Sequence, residues 1–393
     1  WRASLSDDAN ERQQFIAAAE HCHAHNVRFP NSLDEVQMLQ SLGDSAFARY
    51  LLGCFWYSKR RYDEAVSCWR ETLEKSPDYA PAHRLLGVYS WNKQQDATQA
   101  LAYLQRAVAL EPDNARFLFE LDFLQKLLAR PVHERLTTLV ERKAVVLKRD
   151  DLTAELLSLW NASGHYADAA AILDTRVFHP WEGGEGKITG QYLLNQLHLA
   201  LQFIERGAFK QATDCLKAAL RYPDNLGEGR LPGQTDNDIW YLLGYCAEQA
   251  GDAQQAAEYY QLARQGGSTL DAGRYYNDQP ADYLFWQGIA LRKSGNPAQA
   301  EQHFRHFIDW AAQHRDDVPQ VDFFAVSLPD LVVLDVSAQQ RHQQHCLFIE
   351  ALGHLGLGNV SACQQRMQQL LQINPAHDKA HLIRHALQSG IFS

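Results

Sequence analysis

The stretch of sequence that decides the fold is Trp240-Tyr-Leu-Leu-Gly-Tyr-Cys-Ala-Glu-Gln-Ala-Gly-Asp-Ala-Gln-Gln-Ala-Ala-Glu-Tyr-Tyr-Gln-Leu-Ala263. Small residues, Gly244 and Ala256, alternate in it with large ones at helical spacing, and Gly251 separates the two halves. Glycine and alanine let two helices approach closely, and glycine also permits a tight turn between helices. The stretch therefore predicts a pair of antiparallel helices joined at Gly251.

The same spacing returns along the chain with a period of about 34 residues, which is the tetratricopeptide repeat (TPR) pattern. The other copies contain Leu52-Gly53, Trp56, Tyr62, Ala65, Trp69 and Pro77; Leu86-Gly87, Ala100, Leu104, Ala107 and Pro112; Leu156, Trp160, Gly164, Tyr166, Ala169 and Leu173; Leu199, Phe203, Gly207, Phe209, Ala212, Leu216 and Ala219; Gly288, Gly295, Ala300 and Phe304; and Gly358, Cys363, Met367 and Pro375. Around residues 115–150 only helical amphipathicity survives, with Leu121-Asp122 in place of Leu-Gly. We expect that repeat to be degenerate.

Each helical hairpin of such an array needs a neighbour to bury its apolar face. The pattern therefore predicts an all-α, TPR-like α-α superhelix (solenoid), with roughly 70% or more of the chain helical and no sheet. The expected regions are a helical N-terminal cap at 1–44, TPR-like repeats at 45–175 with the third degenerate, TPR-like repeats at 176–375 with long inserts at 176–192, 222–238, 271–286 and 318–336, and a C-terminal capping helix at 376–393.

Charge, cysteine content and hydropathy make several classes of protein poor candidates. The formal net charge is -10, and no stripe of lysine and arginine interleaved with aromatic residues is present, so nucleic acid is a poor candidate partner. The seven cysteines are scattered and never form a Cys-x-x-Cys pair, which favours reduced core thiols. No apolar run is long enough to span a membrane. The sequence starts at Trp1 without a methionine or signal peptide, so we expect a piece of a longer polypeptide.

The four inserts combine Gly, Pro, Asn or Asp with aromatic and carboxylate side chains. Structured loops on a rigid scaffold tend to carry binding residues, and inserts at equivalent junctions of a solenoid should stack along one edge. We therefore expect the inserts to form one surface for a ligand or partner. The candidate residues are His179, Trp181, Glu182, Glu185, Lys187, Asn225, Glu228, Tyr276, Asn277, Asp278 and Asp330.

Four strings in the inserts carry a more specific resemblance: His179-Pro-Trp-Glu-Gly-Gly-Glu-Gly-Lys187, Tyr222-Pro-Asp-Asn-Leu-Gly-Glu-Gly229, Tyr275-Tyr-Asn-Asp-Gln-Pro280 and Phe324-Ala-Val-Ser-Leu-Pro-Asp330. Over most of residues 45–390 the chain resembles the TPR region of large bacterial proteins in which a galactose-mutarotase-like β-supersandwich domain of unknown function comes first. The resemblance implies a cytoplasmic, multidomain bacterial protein tied to carbohydrate metabolism. It implies no catalytic residue in this chain.

Other chemistry finds less support in the residues. A phosphate-binding loop would need Gly at position 181 and a hydroxyl at 188, where Trp181 and Ile188 stand. A glycosidase needs two facing carboxylates, and the inserts supply candidates, although Asp and Glu in such loops more often cap helices. Two histidine groups, 21/23/25 and 377/381/385, lack a completing carboxylate or cysteine, so no metal and no cofactor is expected.

Two functions remain open. The first is a protein-interaction scaffold that docks its own N-terminal domain or a partner subunit. The alternative is a carbohydrate-binding face, or part of a glycoside-processing site, formed by the inserts. Because no acid and nucleophile pair can be assigned, we expect no hydrolysis of simple aryl glycosides by this chain alone.

Overall fold

The computed structural model describes residues 2–20, 29–273, 278–319 and 333–392. Over these residues the protein is helical, with 71% helix and no strand, which confirms the predicted all-α, TPR-like fold. The chain forms two compact units. The first contains the described residues up to Gln125 together with residues 333–335, and the second contains the others.

In the first unit, helix α6 (Ala80–Tyr89) continues into a π-helical turn, Ser90–Gln94. Side chains of this turn hold residues 333–335: Trp91 Nε1 donates to Asp335 O at 2.9 Å, and Asn92 Nδ2 donates to Val333 O at 2.8 Å. The helices of this unit are α1 (Arg2–Leu5), α2 (Ala9–Glu20), α3 (Leu33–Ser41), α4 (Ala46–Ser58), α5 (Tyr62–Lys75), α6 (Ala80–Tyr89), α7 (Ala97–Leu110) and α8 (Ala115–Leu127), the end of which enters the second unit.

Among its described residues the second unit contains two helices, α9 (Val132–Glu141) and α10 (Lys143–Val146), followed by five helical hairpins and a last single helix. The helices that follow are α11 (Asp150–Ala162), α12 (Tyr166–Thr175), α13 (Lys187–Glu205), α14 (Phe209–Ala219), α15 (Asn237–Gln249), α16 (Ala253–Ala263), α17 (Tyr283–Lys293), α18 (Pro297–His314), α19 (Ala338–Gly356), α20 (Val360–Ile373) and α21 (Asp378–Gln388). The hairpins are α11–α12, α13–α14, α15–α16, α17–α18 and α19–α20.

The small residues of the repeat pattern lie where the paired helices touch. A Cβ atom added to Gly244 in α15 would lie 2.6 Å from the Tyr260 ring of α16, and one added to Gly53 would lie 2.3 Å from Trp69 Nε1. Gly251, between α15 and α16, has a φ of +83°, which an L side chain rarely adopts. The spacing read from the sequence therefore reflects steric contact between the helices of each hairpin.

Polar residues begin several of the helices. Asp252 accepts a hydrogen bond from Gln255 N at 3.0 Å at the start of α16, and Ser45 accepts one from Ala48 N at 3.2 Å at the start of α4. Such caps satisfy backbone N–H groups that have no partner within the helix. Helix α13 has no cap of its own, since its N-cap residue is Gly186.

In the degenerate repeat, a charged residue is buried where the pattern would place an apolar one. The carboxylate of Glu120 is almost fully buried and accepts hydrogen bonds from Arg84 at 2.6 and 2.7 Å and from Arg116 at 3.0 Å. Buried charges persist in proteins when they are paired in this way. Where residues 120–122 deviate from the repeat pattern, an ion-pair network within the first unit therefore compensates the buried charge of Glu120.

Candidate functional site

Three of the inserts meet at one cavity of about 490 Å³ in the second unit, which we call the insert cavity. Its apolar floor comes from α13 and α15, the first helices of two successive hairpins. The lining residues are Gly186, Thr189, Gly190, Leu193, Leu194, Leu197, Tyr222, Glu228, Gly229, Leu231, Gly233, Gln234, Thr235, Asp238, Ile239, Asp278, Gln279, Pro280, Tyr283 and Lys379.

Glu228, which comes from the second insert, lines the insert cavity and binds the start of helix α13. Gly186 N donates to the two carboxylate oxygens of Glu228 at 3.2 and 3.0 Å, and Thr189 Oγ1 donates to one of them at 3.3 Å. Glu228 therefore caps the N-terminus of α13, where a negative charge is also favoured by the helix dipole. This is the role that carboxylates in such loops commonly have.

Asn225 ties the second insert to the first. Its side-chain nitrogen donates to Leu173 O at 2.7 Å and to Arg176 O at 2.8 Å, and its backbone carbonyl accepts a hydrogen bond from Phe178 N at 2.8 Å. These bonds satisfy carbonyl groups at the end of α12 that lack a partner within the helix. Asn225 thus positions the insert and does not line the cavity.

The end of the second insert is held by an ion pair. Arg230 pairs with Asp236, which is buried and has a φ of +43°, a left-handed conformation that aspartate tolerates. Arg230 Nη1 also donates to Leu220 O at 2.9 Å. The turn directly before α15 is therefore closed by contacts within the protein.

The third insert reaches the cavity through residues 278–280. Gln279 Oε1 accepts a hydrogen bond from Gly267 N at 2.7 Å, which anchors this side of the cavity to the end of the preceding hairpin. Asp278 is exposed and lines the cavity mouth. A carboxylate therefore stands at the opening, next to an apolar floor.

A lysine between two aspartates closes one end of the cavity. Lys379 Nζ of α21 lies 3.2 Å from Asp282 Oδ2 and 3.7 Å from Asp238 Oδ2, and its ammonium group sits 5.3 Å from the centre of the Tyr283 ring. Burial raises the pKa of Asp238, while Lys379 acts in the opposite direction. Burial alone would lower the pKa of Lys379, but Asp282 and Asp238 raise it above its usual value. Lys379 is therefore a cation at neutral pH.

Of the predicted site residues, Glu228 and Asp278 line the insert cavity. His179 is exposed and approaches Asp150, with Nδ1 3.5 Å from Oδ2. Trp181 packs its ring on Gly184, where an added Cβ would lie 2.0 Å from the ring. The remaining described candidates, Glu182, Glu185 and Lys187, are exposed. Tyr276, Asn277 and Asp330 lie outside the described residues, as does most of the fourth insert.

Sequence reasoning missed Lys379, Asp238 and Asp282 as site residues. One signal was present, since Asp238 and Asp282 stand at corresponding places, at the starts of the first helices of two successive repeats. Lys379 belongs to the last helix, α21, so it has no corresponding position in a second repeat that could have marked it.

The three histidines at 377, 381 and 385, which are the N-cap residue of α21 and two residues within it, make contacts inside the fold. His377 Nδ1 accepts from Ala380 N at 3.2 Å, His381 Nε2 lies 2.7 Å from Pro375 O, and His385 Nδ1 lies 2.9 Å from His198 Nδ1. Burial lowers the pKa of all four imidazoles. The histidines at 21, 23 and 25 lie outside the described residues. In the part of the chain that the structure describes, no group of three or more His, Cys, Asp or Glu is arranged to hold a metal ion.

None of the described helices combines the length and apolar character that crossing a membrane requires.

Comparison with known proteins finds the tetratricopeptide repeat family at residues 57–115 and 197–273. The chain therefore contains tetratricopeptide repeats, as the spacing predicts.

Several solved structures are similar to this chain. PilW, described as a widely conserved type IV pilus biogenesis factor, is 17% identical, with 55% of this chain and 90% of PilW covered and a TM-score of 0.29. A chain of the Naa15/Naa10 complex bound to HypK-THB is 14% identical, and 95% of this chain spans 55% of that one with a TM-score of 0.40. The apo quorum sensor NprR from B. thuringiensis is 12% identical, with 92% and 97% covered and a TM-score of 0.33.

Proposed function

We propose that this chain is a protein-interaction scaffold and that the insert cavity of its second unit receives a segment of the partner protein. The observation that carries the proposal is the meeting of three inserts at one cavity of about 490 Å³. Binding sites commonly have volumes of a few hundred Å³, with an apolar lining and a few placed polar groups. Because caps and ion pairs hold the inserts, the cavity walls are formed before a partner arrives, which reduces the ordering cost of binding.

The chemistry of the lining indicates the kind of segment. Leu193, Leu194 and Leu197 give the floor an apolar surface, while Glu228 and Asp278 add carboxylates at the wall and mouth. The charge of Lys379 is already matched by two aspartates, and the whole chain has a formal net charge of -10. A partner segment with a lysine or arginine beside an apolar side chain complements this surface.

We further propose a source for the partner segment. The resemblance of the four insert strings to large bacterial proteins points to a galactose-mutarotase-like domain earlier in the same polypeptide, or to a separate subunit. On this proposal the protein is cytoplasmic and serves carbohydrate metabolism, with the scaffold holding the domain that contacts the sugar.

The test uses random 12-residue peptides displayed on phage and selected on the full chain. We expect the selected peptides to contain lysine or arginine next to a large apolar residue. In Leu193→Arg, a long cation enters the insert cavity, so the dissociation constant of such a peptide, measured by fluorescence anisotropy, should rise about tenfold or more.

Leu347→Arg is the matched control. Leu347 is also half-buried and lines another cavity of the second unit, of about 360 Å³, so the substitution makes the same chemical change away from the inserts. Peptide affinity should be unchanged in this variant. Equal binding to wild type and Leu193→Arg, or selection of peptides without basic residues, would overturn the proposal.

A second candidate function is carbohydrate binding, because Tyr222 and Tyr283 line the same cavity as Gln234, Gln279 and Asp278. Aromatic faces together with amide and carboxylate groups suit the faces and hydroxyl groups of a sugar. Isothermal titration with neutral mono- and disaccharides separates the two functions. Saturable binding that Tyr222→Ala removes supports the sugar site, whereas no heat at millimolar sugar excludes it.

A further inference from the structure

The last helix of the chain lies across the first helices of successive hairpins in the second unit. Helix α21 packs on α11 and α13, and its Lys379 also reaches Asp238 of α15 and Tyr283 of α17. We call the surface formed by α11, α13, α15 and α17 the groove, and residues 378–392 the C-terminal segment. The groove is thus occupied by the protein's own chain.

The start of the C-terminal segment is held by polar contacts from several helices. Asp378 accepts hydrogen bonds from Ser158 Oγ of α11 at 2.8 Å and from Gln191 Nε2 of α13 at 2.7 Å. Lys379, the next residue, pairs with Asp238 and Asp282, as described above. The groove therefore presents hydrogen-bond donors to the acidic residue Asp378 and carboxylates to the basic residue that follows it.

The end of the segment is held by a second set of contacts. His385 Nδ1 lies 2.9 Å from His198 Nδ1, and its Nε2 lies 3.3 Å from Glu205 Oε1. Tyr241 OH donates to Ile391 O at 3.2 Å. The Phe392 ring packs on two aromatic rings, with centroid distances of 5.4 Å to Phe285 and 5.7 Å to Trp286.

We propose that the C-terminal segment is an internal ligand of the groove, and that a partner segment takes its place, with a basic residue in the first turn of its helix and an aromatic residue thirteen positions later, as from Lys379 in α21 to Phe392 beyond its end. A helix lying in a groove is a recurring mode of peptide recognition. A buried ion pair can add little net stability, because the cost of desolvation offsets the attraction, and in some proteins it fixes position and partner. On this proposal the groove selects a partner by its charges together with apolar side chains at the places of Leu382 and Ile383, which are also buried, and its present occupant is the template.

Lys379 links this exchange to the insert cavity, because it belongs to the C-terminal segment and also lines the cavity. A basic side chain that enters the cavity competes with Lys379 for Asp238 and Asp282. Binding there would weaken the docking of α21, and by reciprocity release of α21 would open the cavity. The exchange itself does not depend on which partner the insert cavity receives.

The test measures binding of a fluorescently labelled synthetic peptide with the sequence of residues 376–392 to the full chain. In the Lys379→Ala chain the internal ligand loses its basic anchor, while the peptide still carries a lysine for the two aspartates. We expect the apparent association constant of the peptide to be roughly 100-fold higher for Lys379→Ala than for wild type. A peptide in which the same lysine is alanine should lose this gain.

Lys293→Ala is the matched control, because Lys293 pairs with Glu248 near the C-terminal ends of α17 and α15, whereas the partners of Lys379 stand at the N-terminal ends of these helices. It should bind the peptide as wild type does. If Lys379→Ala remains folded by circular dichroism and binds the peptide no better than wild type, the proposal is wrong.

If Lys379→Ala does not fold, amide hydrogen exchange of the unmodified chain tests whether the C-terminal segment can leave the groove. The proposal requires α21 to open separately, with lower protection than α13 and α15. Exchange of α21 together with these helices, in one global unfolding event, would show that the segment is a permanent part of the core. Neither result depends on peptide binding at the insert cavity.

Discussion

Replacement of Glu228 with alanine removes a helix cap that comes from a neighbouring insert. Helix α13 spans Lys187–Glu205 and has no side-chain cap at Gly186, so the Glu228 carboxylate is the described partner of Gly186 N, at 3.0 and 3.2 Å, and of Thr189 Oγ1, at 3.3 Å. The variant leaves these donors at the helix start without their acceptor. The first turn of α13 should therefore open more readily.

The size of the effect follows from two contributions. Loss of an N-terminal cap costs about 1 kcal/mol, and loss of a negative charge beside a helix N-terminus costs about 0.3–1 kcal/mol. We expect the free energy of unfolding of the second unit to fall by about 1.3–2 kcal/mol in Glu228→Ala. Glu228→Gln keeps an acceptor without the charge, so its loss should be about 0.3–1 kcal/mol.

Urea unfolding followed by circular dichroism measures the stability, and amide hydrogen exchange measures opening at residues 186–190. Glu185→Ala is the control, since it removes an exposed carboxylate from the first insert, next to Gly186, and should change stability by no more than about 0.5 kcal/mol. If Glu228→Ala keeps wild-type stability and exchange but loses peptide binding, Glu228 is a ligand contact and the capping argument fails.

Two further predictions concern buried charge. Glu120→Ala leaves the buried guanidinium of Arg84 without its carboxylate, so urea unfolding should show the first unit destabilised by about 3–5 kcal/mol; wild-type stability would contradict this. Burial lowers the pKa of His377 to about 4, although Asp378 and Asp282 oppose this shift. The folded state therefore binds fewer protons than the unfolded state below about pH 6.5. As the pH falls from 7 to 5, this imidazole alone should lower the free energy of unfolding by about 2 kcal/mol. His377→Asn, which keeps a capping acceptor, should reduce that slope in thermal melts, and an unchanged slope would contradict the assignment.

The repeats could be predicted from sequence because their signal is local. Gly244 and Tyr260 belong to one hairpin, and the contact between them requires a small residue opposite a large one. The same constraint recurs in each copy of the repeat, so several weak matches reinforce one another. Helix content and fold class followed from this pattern.

The inserts were harder to predict because their roles depend on neighbours in space. Asn225 and Glu228 looked like candidate ligand contacts, since amides and carboxylates in glycine-rich loops suit either binding or capping. Their partners, Leu173 O and Gly186 N, lie 52 and 42 positions away in the chain. The sequence showed which side chains were polar, but which backbone groups needed them depended on how the hairpins stack.

The position of α21 shows the limit most clearly. An amphipathic helix after the last repeat suggests a cover for the last hairpin, and periodicity gives no reason to place it elsewhere. Helix α21 does contact the last hairpin through α20, and its position across the first helices of other hairpins is specified by contacts such as that between Asp378 and Ser158, which are 220 positions apart. Such pairs have no spacing rule, because any acidic residue can meet any hydroxyl once the chain has folded. Asp378, Lys379 and His385 look least suited to a core helix, and each of them has a polar partner on α13, α15 or the start of α17. Charged residues in a terminal helix were therefore the available sign that it makes polar contacts with distant helices.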